Sequence, residues 1–240
     1  MNVLVSQLID NMEKIIIGKR TVLECLVAAL LCEGHVLIED VPGVGKTQMV
    51  ASLARSVNGV FHRVQFTPDV MPSDIMGFSM FNPATREFEY REGAAVCNFL
   101  LADEVNRTSP KTQSSLLEIM EEFQVTVDGK TYPLPRPFMV LATQNPIESF
   151  GTYPLPEAQL DRFFLKLTIG YPDKSQESEI LERYGSSNPM KELKPVSSPS
   201  DILKLQEQAK SVHVEEALKG YIVDIIEQTR KSEFVVLGAS

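Results

Sequence analysis

Cysteine is scarce, with three in 240 residues and no CxxC pair or Cys/His cluster among them. An odd count without metal-ligand spacing excludes a disulfide framework and fits reduced thiols in the cytoplasm. Long apolar runs are lacking too. The longest, Cys25 to Cys32, is eight residues, far short of the roughly 18–20 that cross a bilayer, and no basic segment leads into an apolar one at the N-terminus. Neither a membrane span nor a secretion signal is expected. There is no low-complexity tract and no collagen-like or coiled-coil period, which excludes the fibrous classes. A positive excess is missing as well: 23 Lys and Arg stand against 32 Asp and Glu, for a net charge of −9. That balance argues against a non-specific nucleic-acid binder. What remains is ordinary, 43% apolar and 23% charged, as in globular proteins. The length suits one large domain or one domain with an appendage.

The first 34 residues have helical spacing, with apolar positions at Val3, Leu4, Leu8, Ile9 and Met12, then Val22, Leu23, Leu26, Val27, Leu30 and Leu31. Gly18 separates two helices. Beyond Gly34, short β-branched runs alternate with longer helical stretches. His35–Glu39, Val60–Gln65, Asn98–Ala102, Phe138–Ala142 and Phe163–Leu167 are nearly continuous in apolar character, as strands buried on both faces are. Strands alternating with helices predict a parallel α/β sheet covered on both sides. Two hairpins interrupt the alternation: Gln124–Tyr132, around Asp128-Gly129, and Ser79–Tyr90, around Asn82-Pro83. Strand signals end near Pro172; Lys194–Ser200 reads as a linker or helix lead-in, and Ile202–Ala209 and Val214–Thr229 as amphipathic helices.

Asp40, Val41, Pro42, Gly43, Val44, Gly45, Lys46 and Thr47 follow an apolar strand and precede a helical run. In that context the backbone amides of Gly43 to Thr47 can converge on a β-phosphate. Lys46 can reach the β and γ oxygens, and the Thr47 hydroxyl can bind Mg²⁺. The usual pattern opens on a glycine, and here that position is Asp40. Asn98–Glu104 is an apolar strand ending in two carboxylates, at the sheet edge where open α/β folds bind ligands. Asp103 can complete the Mg²⁺ shell, and Glu104 can orient and deprotonate a water for attack on a γ-phosphate. Alone, Asp-Glu after a strand is as readily a turn or helix cap. Val140–Asn145 is another buried strand, ending in an amide that could hold the water from the far side, although a lone Asn there is usually a turn residue. Arg162 precedes the last strand. It can pair on the surface with Asp161 or Glu157, which is worth little, or serve as an arginine finger on a neighbouring subunit.

These stretches, together with Gln65–Gly77, Leu101–Arg107, Pro110–Glu122, Ala142–Pro146 and Gly151–Phe163, resemble the AAA+ ATPases and, within them, the MoxR family. The resemblance runs from about residue 15 to the end, and on it the Gly-rich loop and the Asp103-Glu104 strand are Walker A and Walker B motifs. It makes Asp40 a common variant and implies a P-loop core at 1–171 with a five-stranded parallel sheet in the order 5-1-4-3-2. It places one hairpin in the second helix and another before the fourth strand, and implies a helical lid from 172 to 240. It also implies a hexameric ring with ATP between subunits, so that the finger falls on Arg162, with Arg107 and Arg136 as weaker candidates for contacts between subunits. MoxR proteins remodel or mature protein complexes in a chaperone-like way, often beside a partner with a von Willebrand A domain. Val235–Ser240 resembles the start of the family's Gly-Ala-Ser-Pro-Arg segment, whose arginine reaches the γ-phosphate. The sequence stops before that arginine, so the lid is expected to be truncated.

The leading expectation is Mg²⁺-dependent ATP hydrolysis used on a protein client. The alternatives are a nucleotide-gated binding module with little hydrolysis of its own and a DNA-remodelling motor. The acidic balance and the lack of a basic, aromatic-interleaved patch argue against the motor. No guanine-reading Asn-Lys-x-Asp occurs. His35 is expected to be a satisfied structural histidine, and His62 and His213 lack ligand spacing. Cys25 and Cys32 are expected as buried small residues, Met71, Met76 and Met80 as core filler, and Phe81, Phe88 and Tyr90 as packing residues. Glu118, Glu121 and Glu122 should form a solvated helix face.

Overall fold

The computed structural model describes residues 2–146, 152–186, 188–235 and 238–239. Gly151, which opens one of the quoted stretches, lies outside the described residues, as do Val236, Leu237 and Ser240. In chain order the elements are α1 (Val3–Glu13), α2 (Arg20–Leu31), β1 (His35–Glu39), α3 (Lys46–Val57), β2 (Phe61–Gln65), α4 (Pro72–Met76), β3 (Gly77–Asn82) and β4 (Glu87–Glu92). There follow β5 (Phe99–Asp103), a 3-10 turn (Val105–Arg107), α5 (Pro110–Glu122), β6 (Gln124–Val127), β7 (Lys130–Pro133), β8 (Met139–Gln144), α6 (Glu157–Leu160) and β9 (Phe163–Leu167). The last four are α7 (Lys174–Ser186), α8 (Pro189–Glu192), α9 (Pro199–Lys210) and α10 (Glu216–Lys231).

Five strands form one sheet in the order β2-β5-β8-β1-β9, every pair parallel. Numbering the hairpin strands as well makes these labels differ from the expected 5-1-4-3-2. If only the sheet's own strands are counted, the order is the same read from the other edge. Strand side chains alternate between faces, and the core divides accordingly. Val36, Ile38, Phe99, Leu101, Met139 and Leu141 pack with α1, α2 and α3 on one face. Leu37, Leu100, Ala102, Val140 and Ala142 pack with residues of α5 and the hairpins on the other. Each of the larger of these side chains, the Val, Leu, Ile, Phe and Met, stabilises the fold by about 1.5–3 kcal/mol when taken fully from water. This two-faced burial is why the strands read as unbroken apolar runs.

The Asp128-Gly129 turn has φ of 49° and 75°, the paired positive values of a two-residue hairpin connection. The other hairpin begins at Gly77 rather than Ser79, and its chain reversal lies over 83–86, with Arg86 at φ 57°. Stacked rings of Tyr90 and Tyr132, 4.1 Å apart, join the two hairpins. Phe81 and Phe88 pack edge-on against each other at 5.4 Å but stay about half and two-thirds exposed, so they are not core. Met71 and Met80 are exposed too, while Met76 is partly buried. Cys32, at the C-cap of α2, is exposed and Cys25 half-buried.

Two compact units divide between Gln206 and Glu207. The strand-bearing part ends near residue 171, yet the segment that follows stays with the first unit. Asn11 Nδ2 donates to Ser56 Oγ (2.9 Å) and to the Lys194 carbonyl (3.0 Å), and Gln206 Nε2 to the Leu30 carbonyl (2.7 Å). In the second unit, the Ala239 amide donates to Thr229 Oγ1 and Arg230 Nε to the Ala239 carbonyl, both at 2.9 Å. No helix among the described residues is long and apolar enough to cross a membrane.

Candidate functional site

The loop after β1 has Gly43 at φ 90° and Gly45 at φ 88°. An added Cβ would meet nothing closer than 4.0 Å at either position, so the backbone conformation, not packing, calls for glycine. Gly45 is the N-cap of α3, which leaves the first-turn amides and the positive end of the helix dipole facing the loop. Lys46 Nζ donates to the Asp40 carbonyl at 2.8 Å and folds back across the loop. Asp40 is buried and faces the protein. Its Oδ1 accepts from the Val41 amide (2.9 Å), and its Oδ2 from the amides of Ile169 and Gly170 (both 2.7 Å). The residue in the generic glycine's place thus ties the loop to the segment after β9.

At the end of β5, Asp103 is buried. Its Oδ1 accepts from Thr143 Oγ1 (2.6 Å), and its Oδ2 from Arg63 Nη2 (2.7 Å) and Nε (3.2 Å). Glu104 has φ 59° and ψ 50°, a conformation that costs a non-glycine residue on the order of 1–2 kcal/mol. Its amide is held by Thr143 Oγ1 at 2.8 Å, and its Oε2 accepts from Gln65 Nε2 (2.8 Å) and Arg107 Nη1 (3.2 Å). Asn145 follows β8, buried, at the same sheet edge, because β8 runs in parallel register with β5.

A cavity of about 340 Å³ brings together Lys46, Thr47, Arg63, Gln65, Asp103 and Glu104. A second, of about 260 Å³, is lined by Ile15, Ile16, Ile17, Val44, Ile180 and Tyr184, and the two share Gly43, Gly45 and Gln48. Cations and amides therefore continue into an apolar recess, the layout that suits a phosphorylated ligand with a flat apolar base. Burial pushes the Tyr184 phenol above its usual pKa. Among the described residues no group of three or more His, Cys, Asp or Glu side chains is placed to hold a metal ion by itself.

Arg162 lies elsewhere. It precedes β9, whose first residue Phe163 pairs with His35 at the start of β1, whereas the loop leaves from the end of β1. Five residues of strand separate the two ends, roughly 15 Å. Arg162 holds Glu121 with Nε at 2.5 Å and Nη2 at 3.2 Å, a partner other than the expected Asp161 or Glu157. Arg136 sits 3.7 Å from Glu33 and 3.7 Å over the Phe123 ring.

His35 Nδ1 accepts from the Val140 amide and Nε2 faces the Met120 carbonyl, both at 2.9 Å, between Phe123 and Phe138. Burial pulls its pKa down to about 4. His62 faces the Ala94 carbonyl, and His213 lies 3.2 Å from Glu215. Glu118, Glu121 and Glu122 are exposed on α5.

Sequence reasoning missed Arg63, Gln65, Thr143 and the apolar recess. Arg63 and Gln65 alternate on an edge strand and look like a solvated face, and Thr143 is a single hydroxyl inside an apolar run. The recess joins residues 15–17 to residues 180 and 184, and nothing local links those segments.

Fold and site together define an α/β nucleotide-binding protein of the P-loop class. Residues 35–165 match the family described as "ATPase family associated with various cellular activities (AAA)". The chain is 52% identical over 237 residues to the uncharacterized protein YeaC of Bacillus subtilis, covering 99% of this chain and 74% of that protein. It is 48% identical over 225 residues to the chaperone MoxR1 of Mycobacterium tuberculosis, covering 94% of this chain and 59% of that one. The crystal structure of a candidate ATPase from Cytophaga hutchinsonii superposes with a TM-score of 0.90 at 40% identity, covering 99% of this chain and 74% of that one. The chain belongs to the AAA+ ATPases, in their MoxR branch.

Proposed function

We propose that this chain binds ATP with Mg²⁺ and hydrolyses it. The observation that carries this reading is one cavity holding Lys46, Thr47, Asp103 and Glu104 and opening onto an apolar recess of a size to take the base. The residues fit the metal. A hydroxyl and a carboxylate are hard oxygen donors of the kind Mg²⁺ takes, and Asp103 Oδ2 already accepts a cationic guanidinium. When bound, the ion would neutralise charge on the β and γ oxygens.

The chain's own groups do the rest. Amides of Gly43 to Thr47 bind the β-phosphate, and Lys46 exchanges the Asp40 carbonyl for phosphate oxygens. Asp40 keeps the loop in shape from behind, along with Val41, Pro42 and Val44. Glu104 orients a water and takes its proton onto a carboxylate oxygen as the water attacks the γ-phosphorus and the bond to the bridging oxygen breaks, leaving ADP and inorganic phosphate. Asn145 steadies that water from β8. Arg162, at the opposite sheet edge, acts on the site of a neighbouring subunit, so the working unit is a ring, a hexamer by family resemblance. Residues 1–171 form the core and the helices from 172 the lid. The work is remodelling of a protein client in the cytoplasm, with a von Willebrand A domain protein as partner. The chaperone name of the M. tuberculosis relative supports that reading.

ATP turnover of the wild type and of Glu104→Gln, over a range of protein concentrations, tests it. Loss of a general base costs on the order of 10²–10⁴-fold, and equal rates overturn the assignment. A second reading, a nucleotide-gated binding module, draws support from the separation of Arg162 from its own chain's cavity. Tight ATP binding with background turnover at every concentration selects that reading; turnover that rises steeply with concentration rejects it.

A further inference from the structure

Arg63 has no part in the mechanism above, yet it reaches into the cavity from β2 and puts two nitrogens on the one Asp103 oxygen that Thr143 leaves free. Its Nη2 also donates to Gln65 Oε1 at 3.0 Å. The guanidinium stands where a divalent ion would take Asp103, and the two cations cannot share that oxygen without strong repulsion. The Arg63 side chain is 46% exposed. The guanidinium can therefore swing away, but the buried Asp103 carboxylate needs another cation in its place when it does, and a guanidinium matches phosphate as well as it matches carboxylate.

We infer that Arg63 is a built-in counter-ion that holds the metal-binding oxygen of Asp103 and yields it only when a triphosphate in the same cavity offers the guanidinium another anion. It is a positioning residue that makes metal binding depend on nucleotide. The inference rests on the reading of Asp103 as a metal ligand. Loaded with nucleotide, Arg63 moves from carboxylate to phosphate; without nucleotide, the free metal competes with a resident cation and loses.

The test is Mn²⁺ affinity, read by electron paramagnetic resonance, with no nucleotide and with a non-hydrolysable ATP analogue. In the nucleotide-free state Arg63→Gln should bind Mn²⁺ on the order of tenfold more tightly than the wild type, within the usual span of coupling between two ligands. With the analogue bound, Arg63 has already left Asp103 and the two proteins should bind Mn²⁺ alike, so the gain on adding the analogue should shrink by the same factor. Nucleotide-free affinity equal to or weaker than wild type overturns the inference. If circular dichroism finds Arg63→Gln unfolded, Arg63→Lys decides: it gives up the two-nitrogen grip, and affinity above wild type supports the inference, whereas equal or lower affinity overturns it. Asp103→Asn separates the two levels. If it leaves Mn²⁺ binding with the analogue unchanged, the metal reading and the inference fall together. If it abolishes that binding while Arg63→Gln changes nothing, the inference falls alone.

Discussion

The start and the end of the parallel sheet, taken along its strands, treat polar groups in opposite ways. At its start, His35 is buried with both ring nitrogens facing backbone groups, and nearby Asn98 accepts from the Val60 amide and donates to the Pro137 carbonyl. At its end, Asp103 and Glu104 are held largely by side chains, those of Arg63, Thr143, Gln65 and Arg107, and Arg63 and Arg107 are close to half exposed. Backbone partners cannot move without unfolding, whereas side chains can swing away. The first end is built to stay and the second to exchange partners.

His35 gives the largest stability test of that contrast. Burial first, and the charge of Arg136 further, pull its pKa from 6.5 to about 4, although the Met120 carbonyl opposes them. A proton on Nδ1 would face the Val140 N–H, so the folded protein refuses it while the unfolded chain accepts it. The stability this group provides is therefore complete above about pH 6.5 and is lost as pH falls toward 4. The loss from pH 7 to pH 5 is about 2 kcal/mol. Urea unfolding of the wild type and of His35→Gln at both pH values checks it, and parallel pH dependences would break the contrast. Asp40 sharpens it, because this carboxylate lies at the exchanging end but is wired to backbone. Asp40→Ala strands the amides of Ile169 and Gly170, at about 1–3 kcal/mol in urea unfolding, and Asp40→Asn should lose less. A drop in turnover with unchanged stability would instead put Asp40 among the exchanging groups.

The strands, the Gly-rich loop and the Asp103-Glu104 pair were legible because each rests on neighbouring residues: apolar runs, positive-φ glycines, a carboxylate where a strand ends. Asp128-Gly129 declared its hairpin for the same reason. Partners far apart in sequence were not legible. Arg162 and Glu121 are 41 residues apart, and Arg63 meets Asp103 across 40. Spacing also cannot say whether a face is covered. It marked Phe88 and Met80 as apolar positions on a hairpin, and both stand in solvent. Asp40 shows a further limit, since a motif fixes where a residue stands but not which way its side chain turns.

The smallest effect expected is at Glu121, where the contrast meets its counterexample. Arg162 lies near the fixed end of the sheet but is held by a side chain, and a half-exposed one. The pair holds the Glu121 carboxyl below its usual range and the Arg162 guanidinium above its own. By the rule drawn from the two ends of the sheet, a side-chain partner of this kind marks a group meant to leave. For Arg162 to act on a neighbouring subunit it must first let go of Glu121, and an exposed pair opposes that only weakly. Glu121→Gln removes the hold. The protein concentration giving half-maximal turnover should then fall by a few-fold at most, with no resolvable change in urea unfolding, and moderate salt should shift the wild type the same way by screening the pair. Arg162→Ala should abolish the concentration dependence in both backgrounds. If Glu121→Gln instead lowers turnover at every concentration, the carboxylate aims the guanidinium rather than storing it, and the side-chain rule would not extend beyond the cavity.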